Sequence, residues 1–422
     1  MTGIRSLEIQ KLYGTFDYQL PESSDGFANK AIFYGDNGCG KTTILSLIFH
    51  LLAPARRGHR SKVALIPFES AKLVMQDGVT IEAKKLEGLT GSYVLQCTSN
   101  SGEERQFEFV MHSDEGGKIE GTDKGLSEFL QDLNLSLFFL TADRKILNGE
   151  EDVGNEETEY RKIYRDYRFG ERGLLATSSL DRVLSEANHW ISSKSVEGTN
   201  VGSGTVNEIY ENIVRSITRT LDSGVSGEDV NIDDLVTKLD ELSSRNSEFS
   251  KYGITPQLRV EEIKRDVLAA STASAKHAIF QVVEPYLSGI EARLDALEDV
   301  RRITDAFVRN FESFFIDKEV TFKLSGGLRI KNHQGINLTP NMLSSGEQQL
   351  LRLFCHTLVS RDQPSIFMID EPELSLNIKW QRKLIHALDE LVTGSDMQFL
   401  FASHSMEILA QHRDSIIHLK QN

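Results

Sequence analysis

Cysteine is scarce in this sequence, and its few copies lie far apart. The 422 residues include three cysteines, Cys39, Cys97 and Cys355, and no Cys-x-x-Cys pair. An odd number of dispersed cysteines argues against a disulfide framework and against a cysteine-ligated zinc site. We therefore expect reduced thiols, as in the cytoplasm.

Long apolar runs are also missing. No stretch of the sequence approaches the ~18–20 apolar residues that a membrane-spanning helix needs. The first residues, Met1 to Arg5, do not introduce the apolar core of a secretory signal peptide. The sequence therefore predicts a cytoplasmic protein with no membrane partner.

Positive charge is the third deficit, since 47 lysines and arginines face 62 acidic residues and leave a net charge of −15. Such a molecule does not attract nucleic acid through its overall field, so DNA or RNA binding would need a local basic patch. Two stretches could form such a patch. The first consists of Arg56, Arg57, His59, Arg60 and Lys62, and the second is the aromatic–basic run Tyr160–Phe169. For each, the alternatives are a solvated loop and a subunit-interface helix. We favour an interface for the second run and leave the first open.

The length exceeds what one hydrophobic core usually covers, so we expect at least two lobes. Alternating apolar and polar residues predict a β-rich segment over residues 1–145, with a helix at Thr42–Leu52. Its predicted strands include Ile4–Ile9, Phe16–Leu20, Lys30–Tyr34, Leu137–Leu140 and a β-meander of five strands that opens with Val63–Phe68.

The middle segment, residues 146–317, is predicted to be a helical insertion lobe. Its helices are expected at Leu180–Ser192, Thr205–Leu221, Ile232–Ser243, Val260–Tyr286 and Leu294–Phe315. They are too interrupted for a long coiled coil, so a compact lobe is expected. The last segment, residues 318–422, returns to strands and helices, so the fold class is α/β with a helical insertion.

A phosphate-binding loop is the first chemical motif. Gly35–Thr43 fits G-x-x-x-x-G-K-[ST] between a predicted strand and a predicted helix. Lys41 is expected to neutralise the β- and γ-phosphate oxygens, and the Thr42 hydroxyl to ligate Mg²⁺. The motif predicts ATP and Mg²⁺ as ligands, with these residues around the nucleotide: Gly35, Asn37, Gly38, Cys39, Gly40, Lys41, Thr42 and Thr43.

Two further motifs follow predicted strands near the end of the chain. Asp370 and Glu371 end an apolar strand, where the first suits a Mg²⁺ contact and the second a general base that orients the attacking water. A solvated turn before Pro372 is the alternative for this pair. His404 follows the strand Gln398–Ala402, and we expect it to contact the γ-phosphate, although a lone histidine is usually structural.

The segment Leu343–Gln349 has the form of a helix N-terminus that binds an anion, with Ser344, Ser345, Gly346 and Glu347 at its start. A second phosphate site in a chain that already has a P-loop suggests that it contacts the nucleotide of a partner subunit.

In this order, the four motifs resemble those of the ATP-binding-cassette (ABC) ATPases, and Asn37 and the long insertion resemble the branch of SMC, RecF and OLD-type proteins. The resemblance implies an ABC-ATPase head, a parallel core sheet with an antiparallel β-subdomain. It also implies head-to-tail dimers in which Ser345, Gly346 and Glu347 of one copy close on ATP at the other's Lys41. Ser375 and Asn377 would form the D-loop across that interface.

The sequence departs from this family at two places: Asp143 or Arg144 stands where a Q-loop glutamine is expected, and Tyr13 where the branch often has a basic residue. The sequence continues for 18 residues after His404, which leaves no room for the TOPRIM nuclease of OLD proteins.

The chain is therefore similar to the stand-alone ATPase subunits of bacterial anti-phage systems such as the PARIS and Septu types. That similarity implies an ATP switch, in a dimer or higher homo-oligomer, that controls a separate effector nuclease and senses a phage protein. The alternatives are a RecF-like DNA-binding ATPase in repair or replication and, less well supported, a transporter's nucleotide-binding subunit.

Overall fold

A computed structural model describes residues 3–22, 26–54, 58–112, 118–121, 124–143, 146–148, 180–200 and 232–420. The chain forms two compact units, the first made of Met1–Ala176 with His356–Asn422 and the second of Thr177–Cys355. The division into segments 1–145, 146–317 and 318–422 stays a prediction.

The core of the first unit is a six-stranded sheet that is parallel except at one edge. Its strands, in spatial order, are β10 (Ile146–Asn148), β9 (Ser136–Leu140), β14 (Ser365–Asp370), β15 (Met397–Ala402), β3 (Lys30–Tyr34) and β16 (Ile416–His418). Every residue of β14 and β15 is buried. Strands covered on both faces read as continuous apolar runs, which is why these two were predictable from sequence.

The second sheet of this unit is antiparallel and seven-stranded. Its strands, in spatial order, are β2 (Phe16–Leu20), β1 (Ile4–Leu12), β4 (Ser70–Met75), β5 (Thr80–Lys85), β6 (Tyr93–Thr98), β7 (Glu104–His112) and β8 (Lys118–Gly121). Alternate residues of β4, β5 and β6 are buried, as expected of a sheet with one face on the core.

The helices of the first unit are α1 (Lys41–Leu52), α2 (His59–Leu65), α3 (Lys124–Asp132), α9 (Ile378–Val392) and α10 (Met406–Gln411). The second unit contains a helix described at 180–200, here α4, followed by α5 (Ile232–Ser250), α6 (Val260–Leu268) and α7 (Ala273–Phe314). Its three-stranded antiparallel sheet consists of β11 (Lys318–Lys323), β12 (Gly327–Asn332) and β13 (Asn337–Leu338). Helix α8 (Ser345–Ser360) begins in this unit.

The predicted strand Val63–Phe68 is wrong, because the chain forms helix α2 there. Buried Arg60 donates from its guanidinium to the carbonyl oxygens of His50 and Ala53, both at 2.8 Å, at the end of α1. Buried Lys85 donates to the last carbonyls of α2. The Lys85 contacts satisfy the end of α2, and the Arg60 contacts attach its first turn to the end of α1; together they outweigh the strand preference of the local sequence. Arg60 and His59 are both buried and are therefore not part of a nucleic-acid surface.

The predicted separate helices Val260–Tyr286 and Leu294–Phe315 are also wrong. Helix α6 ends at Leu268, and α7 then runs unbroken for 42 residues, with Pro285 inside it. At 1.5 Å per residue this helix is about 63 Å long. Its buried positions recur at seven-residue spacing in Val300, Phe307 and Phe314, so packing along one face outweighs the backbone hydrogen bond lost at the proline. The predicted helix Thr205–Leu221 lies outside the described residues.

The fold class predicted from the sequence is confirmed: an α/β protein with a parallel core sheet, an antiparallel β-subdomain and a helical insertion. Among the described residues, no helix combines the length and apolar content needed to cross a bilayer.

Candidate functional site

The candidate site of the first unit is built on one edge of its parallel sheet. Strands β3, β14 and β15 run in the same direction, so Tyr34, Asp370 and Ala402 end at the same edge. Ligands of open α/β sheets bind beyond the carboxyl ends of the strands. The structure thus brings together the P-loop, the segment Asp370–Asn377 and the turn Ser403–Ser405.

The P-loop joins β3 to α1 through a compact turn. Gly40 has φ 89°, and a Cβ there would lie 2.7 Å from a methyl carbon of Leu12, so only glycine fits. The Tyr18 hydroxyl donates to the carbonyl oxygen of Cys39 at 2.8 Å and so holds the buried part of the loop. Asp36, Asn37 and Gly38 form its exposed tip. The predicted loop residues therefore form one continuous turn at the start of α1.

Lys41 is buried and its ammonium group lies against the loop that precedes it. Lys41 Nζ donates to the carbonyl oxygens of Gly35 at 2.8 Å and Asp36 at 3.0 Å. The Cys39 sulfur lies 3.8 Å from the same nitrogen. A cation fixed at the mouth of a helix N-terminus matches the charge of a nucleotide phosphate.

Asp370 is a buried acid of the site, and its two carboxylate oxygens have different surroundings. Thr42 Oγ1 donates to Asp370 Oδ1 at 3.1 Å, whereas Oδ2 is buried and has no hydrogen-bond partner among the described residues. Burial raises the pKa of Asp370 to about 6, with help from Glu371 and Glu373, against the Thr42 hydrogen bond and the charge of Lys41. An orphaned buried carboxylate oxygen beside a threonine hydroxyl fits the ligand chemistry of a hard divalent cation.

Thr42 and Asp370 would be incomplete ligands on their own. Among the described residues, no group of three or more His, Cys, Asp or Glu side chains is arranged to hold a metal ion. Mg²⁺ in nucleotide sites typically takes only one or two protein ligands and completes its shell with phosphate oxygens and water. The predicted pair therefore fits Mg²⁺ held together with a nucleotide.

Glu371 comes directly after Asp370, and at this residue the chain leaves strand β14. It has φ 47°, an uncommon conformation for a residue with a side chain, and its N–H donates to the carbonyl oxygen of Ala402 at 2.8 Å. Left-handed residues of this kind cluster at functional sites, where the surroundings hold them. The candidate base is thus anchored through its backbone to the strand that leads to His404.

The turn that carries His404 is fixed by a residue that the sequence reasoning did not select. Glu373 Oε1 accepts hydrogen bonds from Ser403 Oγ at 2.9 Å, from the His404 N–H at 2.7 Å and from the Ser405 N–H at 3.0 Å. Glu373 lies two residues after Glu371, and its charge inside that motif was the signal available in the sequence.

The predicted D-loop residues lie between β14 and α9, and both are exposed. Ser375 has φ 63°. Asn377 caps α9, since its side-chain oxygen accepts the Trp380 N–H at 3.0 Å. Asn377 therefore fixes the start of a helix in addition to any contact with a partner.

The signature segment lies in the second unit and forms a capping box. Glu347 Oε2 accepts from the Ser344 N–H at 2.8 Å and from Ser344 Oγ at 2.9 Å, and the Glu347 N–H lies 3.4 Å from Ser344 Oγ. Helix α8 begins at Ser345, which is exposed, while Gly346 is buried. The predicted helix N-terminus is thus present with its side chains in place.

Glu347 is also paired with a residue that sequence reasoning missed. Lys318 Nζ lies 2.5 Å from Glu347 Oε1, and both side chains are largely buried. Burial opposes ionisation of Glu347, but the hydrogen bonds from Lys318 and Ser344 outweigh it and lower the pKa of the carboxyl. No sequence spacing indicated this pair, since Lys318 lies 29 residues before Glu347.

The structure describes the two places where the sequence departs from the ABC ATPases to different extents. Tyr13 lies beside the P-loop, where its hydroxyl is 2.5 Å from Thr43 Oγ1. Asp143 accepts a hydrogen bond from the Thr141 hydroxyl, and Arg144 lies outside the described residues. Neither observation assigns a Q-loop residue.

Residues 136–410 match a family described as "AAA domain, putative AbiEii toxin, Type IV TA system". The match covers 275 of the 422 residues (410 − 136 + 1). The chain belongs to this AAA-domain family. The matched range includes the signature segment, Asp370, Glu371 and His404, whereas the P-loop lies upstream of it.

Curated relatives share shorter stretches with this ATPase domain. The spermidine/putrescine import ATP-binding protein PotA of Onion yellows phytoplasma is 25% identical over 158 residues, which cover 37% of this chain and 35% of that protein. The lipoprotein-releasing system ATP-binding protein LolD of Ruegeria pomeroyi is 36% identical over 80 residues, covering 19% and 33%. The chain spans about a third of the length of these two relatives.

Two solved structures align along most of the chain at low similarity. The SMC head domain of Pyrococcus furiosus, bound to the C-terminal domain of ScpA, has a TM-score of 0.39 at 14% identity and covers 97% of this chain and 92% of its own. The SMC head domain of Thermotoga maritima has a TM-score of 0.34 at 13% identity, with coverage of 97% and 92%. Similarity at this level does not extend to function.

Proposed function

We propose that this protein is a Mg²⁺-dependent ATPase that works as a switch between two copies joined head to tail. The observation that carries the proposal is the pair formed by Thr42 and buried Asp370, whose Oδ2 has no partner among the described residues, at the sheet edge where the P-loop and Glu371 also lie. A buried acid beside a P-loop threonine is what nucleotide-bound Mg²⁺ requires.

Each predicted residue has a role in this proposal. Lys41 and the backbone of Gly35–Gly40 hold the phosphates, and Thr42 and Asp370 hold Mg²⁺, which when bound supplies positive charge at the reacting phosphate. Glu371 takes up the proton of the attacking water. His404 donates to the γ-phosphate, so its turn senses whether that group is present.

The second copy completes the site in this proposal. Ser345 and the N-terminus of α8 approach the nucleotide held by the other copy, and Ser375 and Asn377 contact that copy across the interface. The exposure of Ser345, Ser375 and Asn377 supports this assignment. ATP binding would then join the copies and hydrolysis would release them, within a dimer or a larger homo-oligomer.

We further propose that this switch controls a separate effector nuclease and responds to a phage protein. Support comes from the similarity to stand-alone ATPases of anti-phage systems and from a family whose description names a putative AbiEii toxin. Of the first basic patch, His59 and Arg60 are buried and Lys62 is exposed, while Arg56, Arg57 and the run Tyr160–Phe169 lie outside the described residues, so Lys62 is the patch residue that supports the DNA-clamp alternative among the described ones.

Glu371→Gln tests the assignment of the base. Loss of a general base typically costs about 10²–10⁴-fold in rate, so we expect kcat to fall by at least about 100-fold while ATP binding persists. The variant should accumulate as an ATP-bound dimer in sedimentation experiments. Undiminished hydrolysis by this variant would exclude Glu371 as the base.

Mixing two inactive variants tests whether the sites are shared. Ser345→Arg damages the signature segment that one copy contributes to the site of the other. Lys41→Ala damages the P-loop that holds the nucleotide in its own copy. If each mixed dimer retains one intact site and random pairing makes half of the dimers mixed, about a quarter of wild-type activity should return. Ser101→Arg, at an exposed turn, is the matched control that should be active alone. Absence of recovery after demonstrated subunit exchange would exclude shared sites.

A further inference from the structure

The turn Ser403–Ser405 and the segment Glu371–Asn377 are joined by two separate hydrogen-bonded bridges. The first is Glu373, whose Oε1 accepts from the hydroxyl of Ser403 and from the backbone N–H groups of His404 and Ser405, at 2.7–3.0 Å. Three donors on one carboxylate oxygen fix the backbone of the turn directly before and after the candidate switch histidine. Hydrogen bonds to an ionised acceptor are about twice as strong as neutral ones.

The second bridge runs through Gln381 on α9. Ser405 Oγ donates to Gln381 Oε1 at 2.7 Å, and Gln381 Nε2 donates to the carbonyl oxygen of Leu376 at 2.9 Å. Because Ser405 also donates its N–H to Glu373, the two bridges meet on this one residue. The Ser405 hydroxyl in addition caps α10 by accepting the Ile408 N–H.

The bridged segment is held in an unfavourable backbone conformation. Glu371 has φ 47° and Ser375 has φ 63°, so two non-glycine residues in one short loop are left-handed. Such residues cost about 1–3 kcal/mol each and persist only where the surroundings over-determine them. The Glu373 and Gln381 bridges are attached within this loop, at positions 373 and 376.

Glu373 has a second feature that a purely structural anchor does not need. Its Oε2 is buried and has no hydrogen-bond partner among the described residues. A buried acceptor without a partner is costly and is uncommon in folded proteins. Glu373 therefore holds the turn through one oxygen and leaves the other without a hydrogen bond among the described residues.

We propose that Glu373 and Gln381 are positioning residues that make the Ser403–Ser405 turn and the Glu371–Asn377 segment change conformation as one unit. This rests on the proposed function, in which His404 senses the γ-phosphate and Ser375 and Asn377 face the second copy. Occupancy of one copy's nucleotide site would thereby set the shape of the surface offered to the other. Nucleotide affinity itself depends on the P-loop and does not depend on the bridges.

Variants at the two positions cut the bridges in graded steps. Glu373→Ala removes the first bridge, whereas Glu373→Gln keeps an acceptor for the three donors and loses only the charge. Gln381→Met removes the second bridge at similar volume. Glu407→Gln is the control, because Glu407 lies on neighbouring α10 and forms an exposed ion pair with Arg382, which is worth little.

Hydrogen exchange measures the coupling without turnover. The N–H groups of Leu374 and Leu376 bond within the segment, and that of Leu409 bonds to the carbonyl oxygen of Ser405, so their protection reports the two elements in every variant. In the wild type and Glu407→Gln, ATP should change protection in both peptides together. In Glu373→Ala, ATP should change the peptide that contains His404 and Leu409 and leave the Leu374–Leu376 peptide unchanged. A response of both peptides in Glu373→Ala would overturn the proposal.

Kinetics supply the second readout. We expect Glu373→Ala to lower kcat about tenfold, and Glu373→Gln and Gln381→Met about threefold, with ATP affinity within about twofold of wild type. The Glu373→Ala/Gln381→Met double variant should resemble Glu373→Ala, because both bridges meet on Ser405 and coupled residues are non-additive. A parallel loss of ATP affinity and kcat would mean general damage to the site and would overturn the proposal. Because hydrogen exchange needs no hydrolysis, a failure of the Glu371 assignment leaves that test intact.

Discussion

Two carboxylates of this protein are almost equally buried and are treated in opposite ways. Asp370, beside the P-loop of the first unit, is 2% exposed and keeps one oxygen without a partner among the described residues. Glu347, in the signature half, is 6% exposed and uses both oxygens, one for Ser344 and one for Lys318. Accordingly, the pKa of Asp370 is raised and that of Glu347 is lowered.

The difference distinguishes a ligand-binding half from a docking half. An unsatisfied buried acid destabilises the free protein and is tolerable where a bound cation completes its contacts. A fully satisfied acid stabilises its surroundings and holds a surface in one shape. In the function proposed above, the P-loop region would acquire its final contacts with the nucleotide, whereas the segment that carries Ser345 would be preformed for a partner.

Replacing Asp370 should give the largest effect and the clearest contrast. Asp370→Asn removes the proposed Mg²⁺ ligand, so hydrolysis should fall by at least about 100-fold. The same change removes a buried charge, so the nucleotide-free protein should become more stable by on the order of 1–2 kcal/mol at pH 7. Chemical denaturation and an ATPase assay measure the two opposite effects.

The pH dependence of stability gives Asp370→Asn an internal check. Because the folded pKa lies near 6 and the ordinary value is 3.8, this group contributes stability at low pH that is lost as pH rises from about 4 through 6. The stability gain of Asp370→Asn should therefore grow between pH 4 and pH 7. Asp77→Asn, at an exposed turn, should show no such gain. A destabilised Asp370→Asn would remove the distinction between the two halves.

Replacing Glu347 should destabilise the protein, whereas replacing Asp370 should stabilise it. Glu347→Ala removes the capping box and leaves Lys318 without its acid, so we expect a loss of about 1–3 kcal/mol. ATP should still bind at the P-loop of the same chain, while hydrolysis falls about tenfold because the lent surface is no longer fixed. Denaturant unfolding, ATP titration and an ATPase assay separate these outcomes.

Glu347→Gln is the matched variant for this test. An amide oxygen still accepts from Ser344, so the helix start survives, whereas the amide NH2 cannot accept from Lys318 and that ion pair is lost. We expect about half of the stability loss seen with alanine. If Glu347→Ala abolishes ATP binding by the monomeric chain, the signature is not a separate docking half.

The sequence was informative where function depends on neighbours along the chain. The places of the P-loop, Asp370 and Glu371 in the fold were predictable because a glycine-rich turn or an acidic pair follows an apolar strand directly, whereas their roles stay predictions. Helix α2 was not, because Lys85 reaches the Val63 carbonyl near its end from 22 residues away, and because Arg60 of its first turn bonds to the end of α1.

The same limit explains the other misses. The continuity of α7 through Pro285 depends on packing along its buried face, which outweighs the local helix-breaking signal. Glu373 and Lys318 gain their roles from partners 30 and 29 residues away in sequence, Ser403 and Glu347 respectively. No periodicity or motif spacing encodes such hydrogen bonds.

Tyr13 lies beside the P-loop and its hydroxyl already has a hydrogen-bond partner. Replacing it therefore tests the comparison at a satisfied group of the P-loop region. The Tyr13 hydroxyl shares a 2.5 Å hydrogen bond with Thr43, and the residue is 47% exposed. Tyr13→Phe removes only that bond, and a neutral hydrogen bond contributes about 0.5–1.5 kcal/mol to stability, so stability should fall by about that amount and ATP affinity by no more than about threefold. Titration with a fluorescent ATP analogue measures this, and Tyr286→Phe, at an exposed tyrosine of α7, is the control. A loss as large as that of Asp370→Asn would mean that Tyr13 belongs to the machinery that ATP completes. A small loss would leave the unsatisfied Asp370 as the centre of the ligand-binding half.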